Sequence, residues 1–166
     1  QENIDVIIVN PGIIIGEGNW NSGSGQLITE TDNGNKYYTS GSSGFVDVRD
    51  VALAVQKLTE GSFKNNRYIL VSENKNYRDI LDQIALTLQK RKPYIHLNSS
   101  LLKTVSYFLK ILKLLGFNRQ LSMARVHSFT SKTKYSNAKI KKTIGLEFTP
   151  IQETIKRVTA FYKTRY

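Results

Sequence analysis

A polar loop beside a tryptophan carries the residue types in this sequence that could bind a ligand. The loop, GEGNWNSGSG at residues 16–25, follows an apolar run that starts at Val6 and passes through Asn10-Pro11-Gly12. Loops after the carboxyl end of a strand bind ligands in open α/β sheets, but the same pattern also fits a surface turn with a half-buried ring. The candidate ligand-binding side chains are Asn19, Trp20, Asn21, Ser22 and Ser24.

The known motifs of nucleotide sites are incomplete in this stretch. Gly16-x-Gly18 lacks the third glycine of a dinucleotide fingerprint and the helix that should begin directly after the strand. There is no Gly-Lys-Ser/Thr phosphate loop, and nothing indicates the nucleophile elbow of a Ser-His-Asp enzyme. The stretch therefore predicts part of a ligand site and not a complete cofactor cradle.

Metal binding is not expected. The sequence contains no cysteine, which excludes disulfides, thiolate nucleophiles and cysteine-ligated metals. The two histidines, His96 and His127, are far apart and lack the spacing of paired metal ligands. Each also fits a packed or exposed side chain with no ligand role.

Two buried strands are expected to position the loop. The run from Ile4 to Val9 is rich in β-branched residues and predicts a strand buried on both faces of a parallel sheet, and RYILVS at residues 67–72 predicts a second. Asn10-Pro11-Gly12 should end or bend the first strand, because proline has no N–H for the sheet. Two such strands do not complete a doubly wound sheet, so either the sheet is small or more strands precede residue 1.

Helices are predicted on both sides of the second strand. A helix capped by Ser22 or Ser24 runs to about Asp32. Asp47, with Asp50 three residues later, predicts a capping box for a helix that ends at Gly61. The apolar stripe of that helix is Val48, Val51, Ala52, Val55 and Leu58.

The part from about residue 76 to 166 is predicted to be mostly helical. A helix capped by Asn76 has Ile80, Leu81, Ile84, Ala85 and Leu88 on one face. Further helices are predicted over 101–115, about 119–129 and 138–144, the last of these stopped by Gly145. Thr149 should cap a final helix with Pro150 at its first position and a stripe of Ile151, Ile155, Val158 and Phe161.

Length and charge set the remaining bounds. The 166 residues, 40% of them hydrophobic, suit a single domain, and the formal net charge is +11. This charge could attract nucleic acid or an anionic membrane, to which the lysines of the 101–115 helix could contribute, or it could simply be a solvated basic surface. No apolar run reaches the length of a membrane span and no signal peptide is visible, so a cytoplasmic protein is expected. Because the chain starts at Gln1 and its one methionine is Met123, we expect a piece of a longer polypeptide.

Three stretches, taken in order, resemble the extended short-chain dehydrogenases/reductases, the NAD(P)-dependent epimerase/dehydratase superfamily with its dihydroflavonol-reductase-like members. VIIVNPGIIIGEGNW resembles the segment that follows the catalytic Tyr-x-x-x-Lys. GFVDVRDVALAV is similar to the Phe/Tyr-Val-x-Val-x-Asp-Val-Ala block, and YSNAKIKKTIGLEFTPIQETIKRVTAFY is similar to the C-terminal signature. The departures are Gly16-Glu17-Gly18 in place of a Gly-Pro pair, the altered Ser136-Asn137-Ala138-Lys139, and Phe161 in place of a tryptophan.

The resemblance implies an α/β fold that is the C-terminal part of a Rossmann-type enzyme, with few parallel strands and a mostly helical substrate domain. The family's phosphate loop and catalytic tyrosine and lysine precede the region that these residues resemble. We therefore expect the N-terminal cofactor-binding half to be absent, the chain to carry no catalytic residue and to lack the catalytic Tyr-x-x-x-Lys, and the 166 residues to be inactive alone.

The resemblance also implies roles for individual residues. Those facing NAD or NADP would be Pro11, Gly12, Ile13, Ile14, Ser22 and Ser24. Those lining the pocket of a small-molecule substrate would be Asn19, Trp20, Phe45 and Arg49. The substrate is left open between a nucleoside-diphosphate sugar and a small ketone or aldehyde, and so is the choice of NAD or NADP.

Two other interpretations are kept beside this one. One is a stand-alone basic module that binds nucleic acid or anionic surfaces, although neither nucleic acid nor membrane is the expected partner. The other is a relative that has lost catalysis and senses a cofactor. The expected partners are the substrate and the missing N-terminal half of the same protein.

Overall fold

A computed structural model describes residues 4–98 and 129–165 of the chain. The described elements, in chain order, are β1 (Ile7–Pro11), β2 (Ile13–Ile15), α1 (Gly25–Asp32), β3 (Tyr37–Thr39), β4 (Ser42–Asp47), α2 (Val48–Glu60), β5 (Asn66–Leu70), β6 (Glu73–Asn76), α3 (Tyr77–Leu88), β7 (Ile95–Leu97), α4 (Ala138–Ile144) and α5 (Ile151–Lys163). The helix predicted over 101–115, nearly all of the one predicted over 119–129, and His127 lie outside the described residues. No helix in the described ranges is long and apolar enough to cross a membrane.

The described strands form three small sheets. β1 pairs in parallel with β5, which confirms the two predicted strands with ends shifted by one to three residues. β2 pairs in parallel with β4, and β6 adds to β4 in antiparallel fashion. β3 and β7 form a parallel pair of three residues each. The structure therefore has strands beyond the two buried ones that the sequence predicted, and these additional strands are three to six residues long.

One face of β1 is covered and the other is open. Ile7 and Val9 pack against a core that contains Ala54 and Leu58 of α2 and Ile140 of α4. Ile8, which points the other way, is 39% exposed. The prediction of a strand buried on both faces is therefore wrong for the described residues, because alternate side chains of β1 meet a helix on only one side.

Pro11 is the last residue of β1, where the sequence predicted that the strand had already ended. The missing N–H of proline costs nothing there, because the next donor, the Gly12 N–H, bonds the Leu70 carbonyl at 3.0 Å. β2 starts directly afterwards at Ile13 and pairs with a different strand, so the Pro11–Gly12 step passes the chain from one sheet to the other.

The larger core lies between three helices and the β2–β4 sheet. α3 supplies the face that the sequence predicted: Ile80, Leu81, Ile84, Ala85 and Leu88 are all buried, which confirms this helix. α5 packs on α3 through Ile151, Ile155 and Val158. Its predicted stripe is wrong at Phe161, which is 36% exposed, because Tyr162 turns inward in its place.

The stripe predicted for α2 is only partly correct. Leu58 is buried, but Val55 is 42% exposed and Ala52 is also exposed. The helix is rotated so that Asp50, Ala54 and Leu58 face inward at a spacing of four residues. Asp47 does cap the helix by accepting the Arg49 N–H at 2.8 Å, as predicted, but Asp50 does not complete a capping box.

Asp50 instead ties α2 to the start of α5. Its carboxylate accepts the Thr149 N–H at 2.7 Å and the Thr149 hydroxyl at 3.0 Å. Thr149 therefore does not cap α5, whose N-cap is Pro150 with no side-chain hydrogen bond, and that prediction is wrong. The hydrogen bonds between Asp50 and Thr149, which are 99 residues apart, thus take the place of the two local capping interactions that the sequence predicted for these residues.

We predict that Asp50→Ala lowers the free energy of unfolding by about 2–3 kcal/mol, because it leaves the part-buried Thr149 N–H without an acceptor. Urea unfolding followed by circular dichroism measures the change. The control is Asp79→Ala, which removes an exposed carboxylate from the first turn of α3 and is expected to cost at most about 1 kcal/mol. Equal losses in the two variants would contradict the role given to Asp50.

Candidate functional site

A cleft opens where β1 ends, and we call it the β1 cleft. Its volume is about 640 Å³, and it is lined by Asn10, Pro11, Gly12, Ile13, Ser43, Arg67, Ile69, Val71 and Tyr135. It lies over the open face of the parallel β1–β5 pair and reaches the carboxyl end of both strands. In open α/β sheets this end of the strands is where ligands bind.

The floor of the β1 cleft depends on close backbone packing. A Cβ at Gly12 would collide with the Gly44 carbonyl oxygen, and one at Gly44 would meet the Val71 side chain at 2.6 Å. Glycine at both positions therefore lets β1 and β4 approach closely enough to form one continuous floor. Gly12 of the Asn10-Pro11-Gly12 segment makes this contact possible.

A second cavity, which we call the α1 cavity, shares Ile13 with the β1 cleft. Its volume is about 350 Å³, and it is lined by Ile13, Gly23, Ser24, Gln26, Leu27, Glu30, Tyr77 and Phe129. Tyr77 is hydrogen-bonded to Ser43, which lines the β1 cleft, so this pair of hydroxyl groups connects the linings of the two cavities. Burial raises the pKa of Tyr77 and the neighbouring Tyr135 adds to this, while the Ser43 hydrogen bond acts in the opposite direction.

The residues predicted to face a cofactor are only partly brought together. Pro11, Gly12 and Ile13 line the β1 cleft. Ser24 lines the α1 cavity, and its hydroxyl donates to the Ile14 carbonyl at 2.5 Å, so it fixes the start of α1 against β2. Ser22 is exposed in the loop and lines neither of these two cavities.

The residues predicted to face a substrate lie outside both cavities. Trp20 is 6% exposed and packs edge-on against Tyr162 at 5.1 Å, and Phe45 is fully buried, so both belong to the core. Asn19 is exposed and its side-chain oxygen accepts the Asn21 N–H, which shapes the loop. Arg49 is exposed and pairs with Glu17 at 3.2 Å. The rings of Trp20 and Phe45 are close to the candidate site in sequence but lie in the core, because large apolar rings bury the most surface there.

A charged network anchors the loop from its outer side. Arg157 of α5 donates to Glu17 at 2.9 Å and pairs with Asp47 at 2.9 Å, and the buried Thr154 hydroxyl donates to Asp47 at 2.8 Å. Burial by itself would raise the pKa of Asp47. The hydrogen bonds from Arg157, the Arg49 N–H and Thr154 outweigh this and lower the pKa below its ordinary value.

Tyr135 is a cleft residue that the sequence interpretation missed. Asn74 holds its backbone at two points, accepting the Tyr135 N–H at 2.8 Å and donating to the Tyr135 carbonyl at 2.9 Å. Its ring then lies against Gly44 at the β1 cleft. The signal that could have found it is the YSNAK spacing itself.

Tyr135 and Lys139 have the spacing Tyr-x-x-x-Lys, in a chain that is expected to lack the catalytic pair of that pattern. Tyr135 precedes α4, so the two residues do not share a helix. The Lys139 ammonium donates to the Asn66 side chain at 2.9 Å and to the Arg67 carbonyl at 3.0 Å, and it lies over the Tyr68 ring. Lys139 is thus engaged with β5 and has a structural role.

Comparison with known proteins confirms the fold class. No protein-family model matches the chain, and no curated protein sequence matches it. Among solved structures, gox2253 has a TM-score of 0.78 at 22% identity, and it covers 96% of this chain and 49% of its own. PA4631, a nucleoside-diphosphate-sugar epimerase from Pseudomonas aeruginosa, has a TM-score of 0.78 at 18% identity, with coverages of 98% and 49%. The Bordetella bronchiseptica enzyme WbmG, solved in complex with NAD and UDP, has a TM-score of 0.70 at 10% identity, with coverages of 98% and 46%.

At these identities the similarity shows the fold. The chain has the mixed α/β architecture of the matching part of Rossmann-type enzymes, as the sequence predicted. It spans about half the length of each of the three solved chains.

We predict that the Asp47–Arg157 pair makes stability depend on pH in the acid range. Asp47 has a lower pKa in the folded than in the unfolded chain, so its ionised form stabilises the fold above about pH 3.9, and this contribution is lost as the pH falls through the folded-state value. Asp47→Asn should cost about 3 kcal/mol at pH 7 and flatten this part of the profile, because it leaves the Arg157 charge without its buried partner.

Urea midpoints measured from pH 7 down to the acid limit of folding test this. The control is Asp79→Asn, which changes an exposed carboxylate that accepts a hydrogen bond from Asn76 on the surface and should keep the wild-type profile. If the urea midpoints of wild type and Asp47→Asn changed with pH in parallel, the pKa of Asp47 would be the same in the folded and the unfolded chain, which would contradict this prediction.

Proposed function

We propose that this chain supplies one wall of the cofactor cleft and most of the substrate site of an NAD(P)-dependent oxidoreductase or nucleotide-sugar epimerase/dehydratase. The observation that carries the proposal is the β1 cleft, a cavity of about 640 Å³ at the carboxyl ends of two parallel strands, in a chain whose fold matches half of such enzymes. PA4631 is a nucleoside-diphosphate-sugar epimerase and WbmG was solved with NAD and UDP.

In this proposal the nicotinamide end of the cofactor lies in the β1 cleft. Pro11 and Ile13 offer apolar surface to the ring, and the side chain of Asn10 can bond the carboxamide. Tyr135, held by Asn74, lines the cleft beside Gly44. The cofactor supplies the hydride chemistry, while these residues bind and orient it. Ile14, Ser22 and Ser24 then act by shaping the loop beside the cleft.

The cofactor's other half, in the same proposal, is bound by a second part of the protein that covers β1. Ile4, Val6 and Ile8 are exposed apolar side chains along or next to β1, and among the described residues β1 is paired on one edge only. A further parallel strand on the free edge would satisfy the backbone groups there, and an element packed on the open face would bury these side chains. The chain's match to about half of each similar structure supports this arrangement.

Acid/base catalysis in this proposal is supplied by residues outside these 166, since Lys139, which has the family's spacing from Tyr135, is bound to β5. The 166 residues alone are therefore expected to show no turnover with NADH or NADPH. The substrate would enter from the side of the 16–25 loop, where Asn19 and Arg49 are exposed.

The proposal is tested with the longest polypeptide that the source reading frame encodes around these residues. Ile69→Trp fills the β1 cleft, and Leu86→Trp makes the same kind of change at an exposed position on α3. We predict that Ile69→Trp weakens NADH or NADPH binding at least about tenfold, since it occupies the space of the ring, while Leu86→Trp leaves it unchanged. Fluorescence titration of the reduced cofactor measures both dissociation constants.

Two results would overturn the proposal. One is the absence of cofactor binding by the longest polypeptide. The other is cofactor binding that Ile69→Trp and Leu86→Trp affect equally, because the nicotinamide would then lie outside the β1 cleft.

A further inference from the structure

The α1 cavity combines an apolar interior with a rim of hydrogen-bond acceptors. Ile13, Leu27, Tyr77 and Phe129 form the interior, with the rings of Tyr77 and Phe129 packed edge to face at 5.4 Å. Glu30 stands at the exposed rim, and Ser24 and Gln26 precede it on α1. Such a cavity suits a ligand with an apolar or aromatic body and a polar group at one end.

The polar groups at the rim offer mainly hydrogen-bond acceptors. The Ser24 hydroxyl gives its one hydrogen to the Ile14 carbonyl and retains only acceptor capacity. The Gln26 amide nitrogen donates one of its two N–H groups to the Asn21 carbonyl at 2.9 Å, and its oxygen can accept. The ionised Glu30 carboxylate accepts only, and among the described residues it has no hydrogen-bond or ion-pair partner.

Partial burial of the Glu30 carboxylate strengthens the preference of the rim for ligand groups that donate hydrogen bonds. Desolvation at the cavity raises the pKa of Glu30, which means that its charged form lacks some of the stabilisation it would have in water. A ligand that donates hydrogen bonds would restore that stabilisation. A ligand that brings negative charge would add repulsion.

We propose that Glu30 is a specificity-determining residue of the substrate site: the α1 cavity accepts the neutral, hydroxyl-bearing end of a substrate with an apolar body and rejects phosphate groups. This rests on the proposed function, because the cavity shares Ile13 with the β1 cleft and so adjoins the expected nicotinamide position. A nucleoside-diphosphate substrate could then use this cavity only for an uncharged part, with its phosphates placed elsewhere.

The experiment uses two small probes of similar size on the 166-residue chain. Phenylethanediol carries a phenyl ring and two hydroxyl donors, and phenyl phosphate carries the same ring and a charged acceptor. Amide chemical shifts of Gln26, Leu27 and Glu30 report binding in NMR titrations. We expect phenylethanediol to bind at the cavity about five- to tenfold more tightly than phenyl phosphate, a ratio set by a charge-assisted hydrogen bond at a partly exposed group.

Substitutions assign this preference to the carboxylate. Glu30→Gln should weaken phenylethanediol about threefold and narrow the gap to phenyl phosphate, and Glu30→Lys should reverse the order. Glu147→Gln removes an equal charge from an exposed position before α5 and should change neither affinity. The Glu30 side chain stands at the rim of the cavity and bonds no other described residue, so its variants are expected to keep the amide spectrum of the folded chain.

Several outcomes would overturn the inference: phenyl phosphate binding at the cavity as tightly as phenylethanediol, equal effects of Glu30→Gln and Glu147→Gln, or no shift of the cavity amides with either probe. None of these depends on the cofactor. A failure here therefore leaves the β1 cleft proposal standing, and cofactor binding that Ile69→Trp and Leu86→Trp affect equally would overturn the β1 cleft proposal without changing the probe preference of the α1 cavity.

Discussion

The guanidinium group of Arg157, held between Glu17 and Asp47, is the interaction on which the arrangement of both cavities depends. Asp47 ends β4 and caps α2, Glu17 lies in the loop after β2, and Arg157 belongs to α5. Asp47 is fully buried, so removing the cation would leave an uncompensated charge in the interior. The two ion pairs of Arg157 therefore fix the positions of the loop after β2, the junction between β4 and α2, and α5 relative to one another.

The two cavities follow from how the chain crosses between sheets at this junction. β1 and β2 are separated by a single residue, Gly12, yet they pair with different strands, β5 and β4. Gly12 lies against Gly44 because neither residue has a side chain. The end of β1 thus lines the β1 cleft. Ile13, the first residue of β2, lines both the β1 cleft and the α1 cavity.

The elements that could be predicted from the sequence are those in which local and long-range preferences agree. The α3 face from Ile80 to Leu88 and the α4 stop at Gly145, which adopts a φ of +61°, are of this kind. The errors occur where a distant partner outweighed a local one. Asp50 bonded Thr149 instead of its own helix end, and Tyr162 replaced Phe161 because its hydroxyl reaches Asp32. β6, made of Glu73–Asn76, has no apolar alternation, and only its pairing with β4 makes it a strand.

The predictions for the candidate site succeeded and failed for the same physical reasons. Pro11, Gly12 and Ile13 were found from their place after a strand, and the structure puts them in the β1 cleft. Trp20 and Phe45 were placed at the substrate because of their chemistry, but burial decided their position. Tyr135 and Glu30 were missed because each reaches its cavity through tertiary contacts: the Asn74 clamp for Tyr135 and the packing of α1 over Tyr77 for Glu30.

The central claim is that the β1 cleft holds the nicotinamide end of a cofactor. The most direct measurement is the change in amide chemical shifts when NAD and then NADP are added to the longest polypeptide encoded around this chain. The account predicts that the largest changes among these residues occur at Gly12, Ile13, Ser43 and Tyr135. Changes confined to residues outside the β1 cleft, such as the exposed lysines of the basic surface, would contradict it.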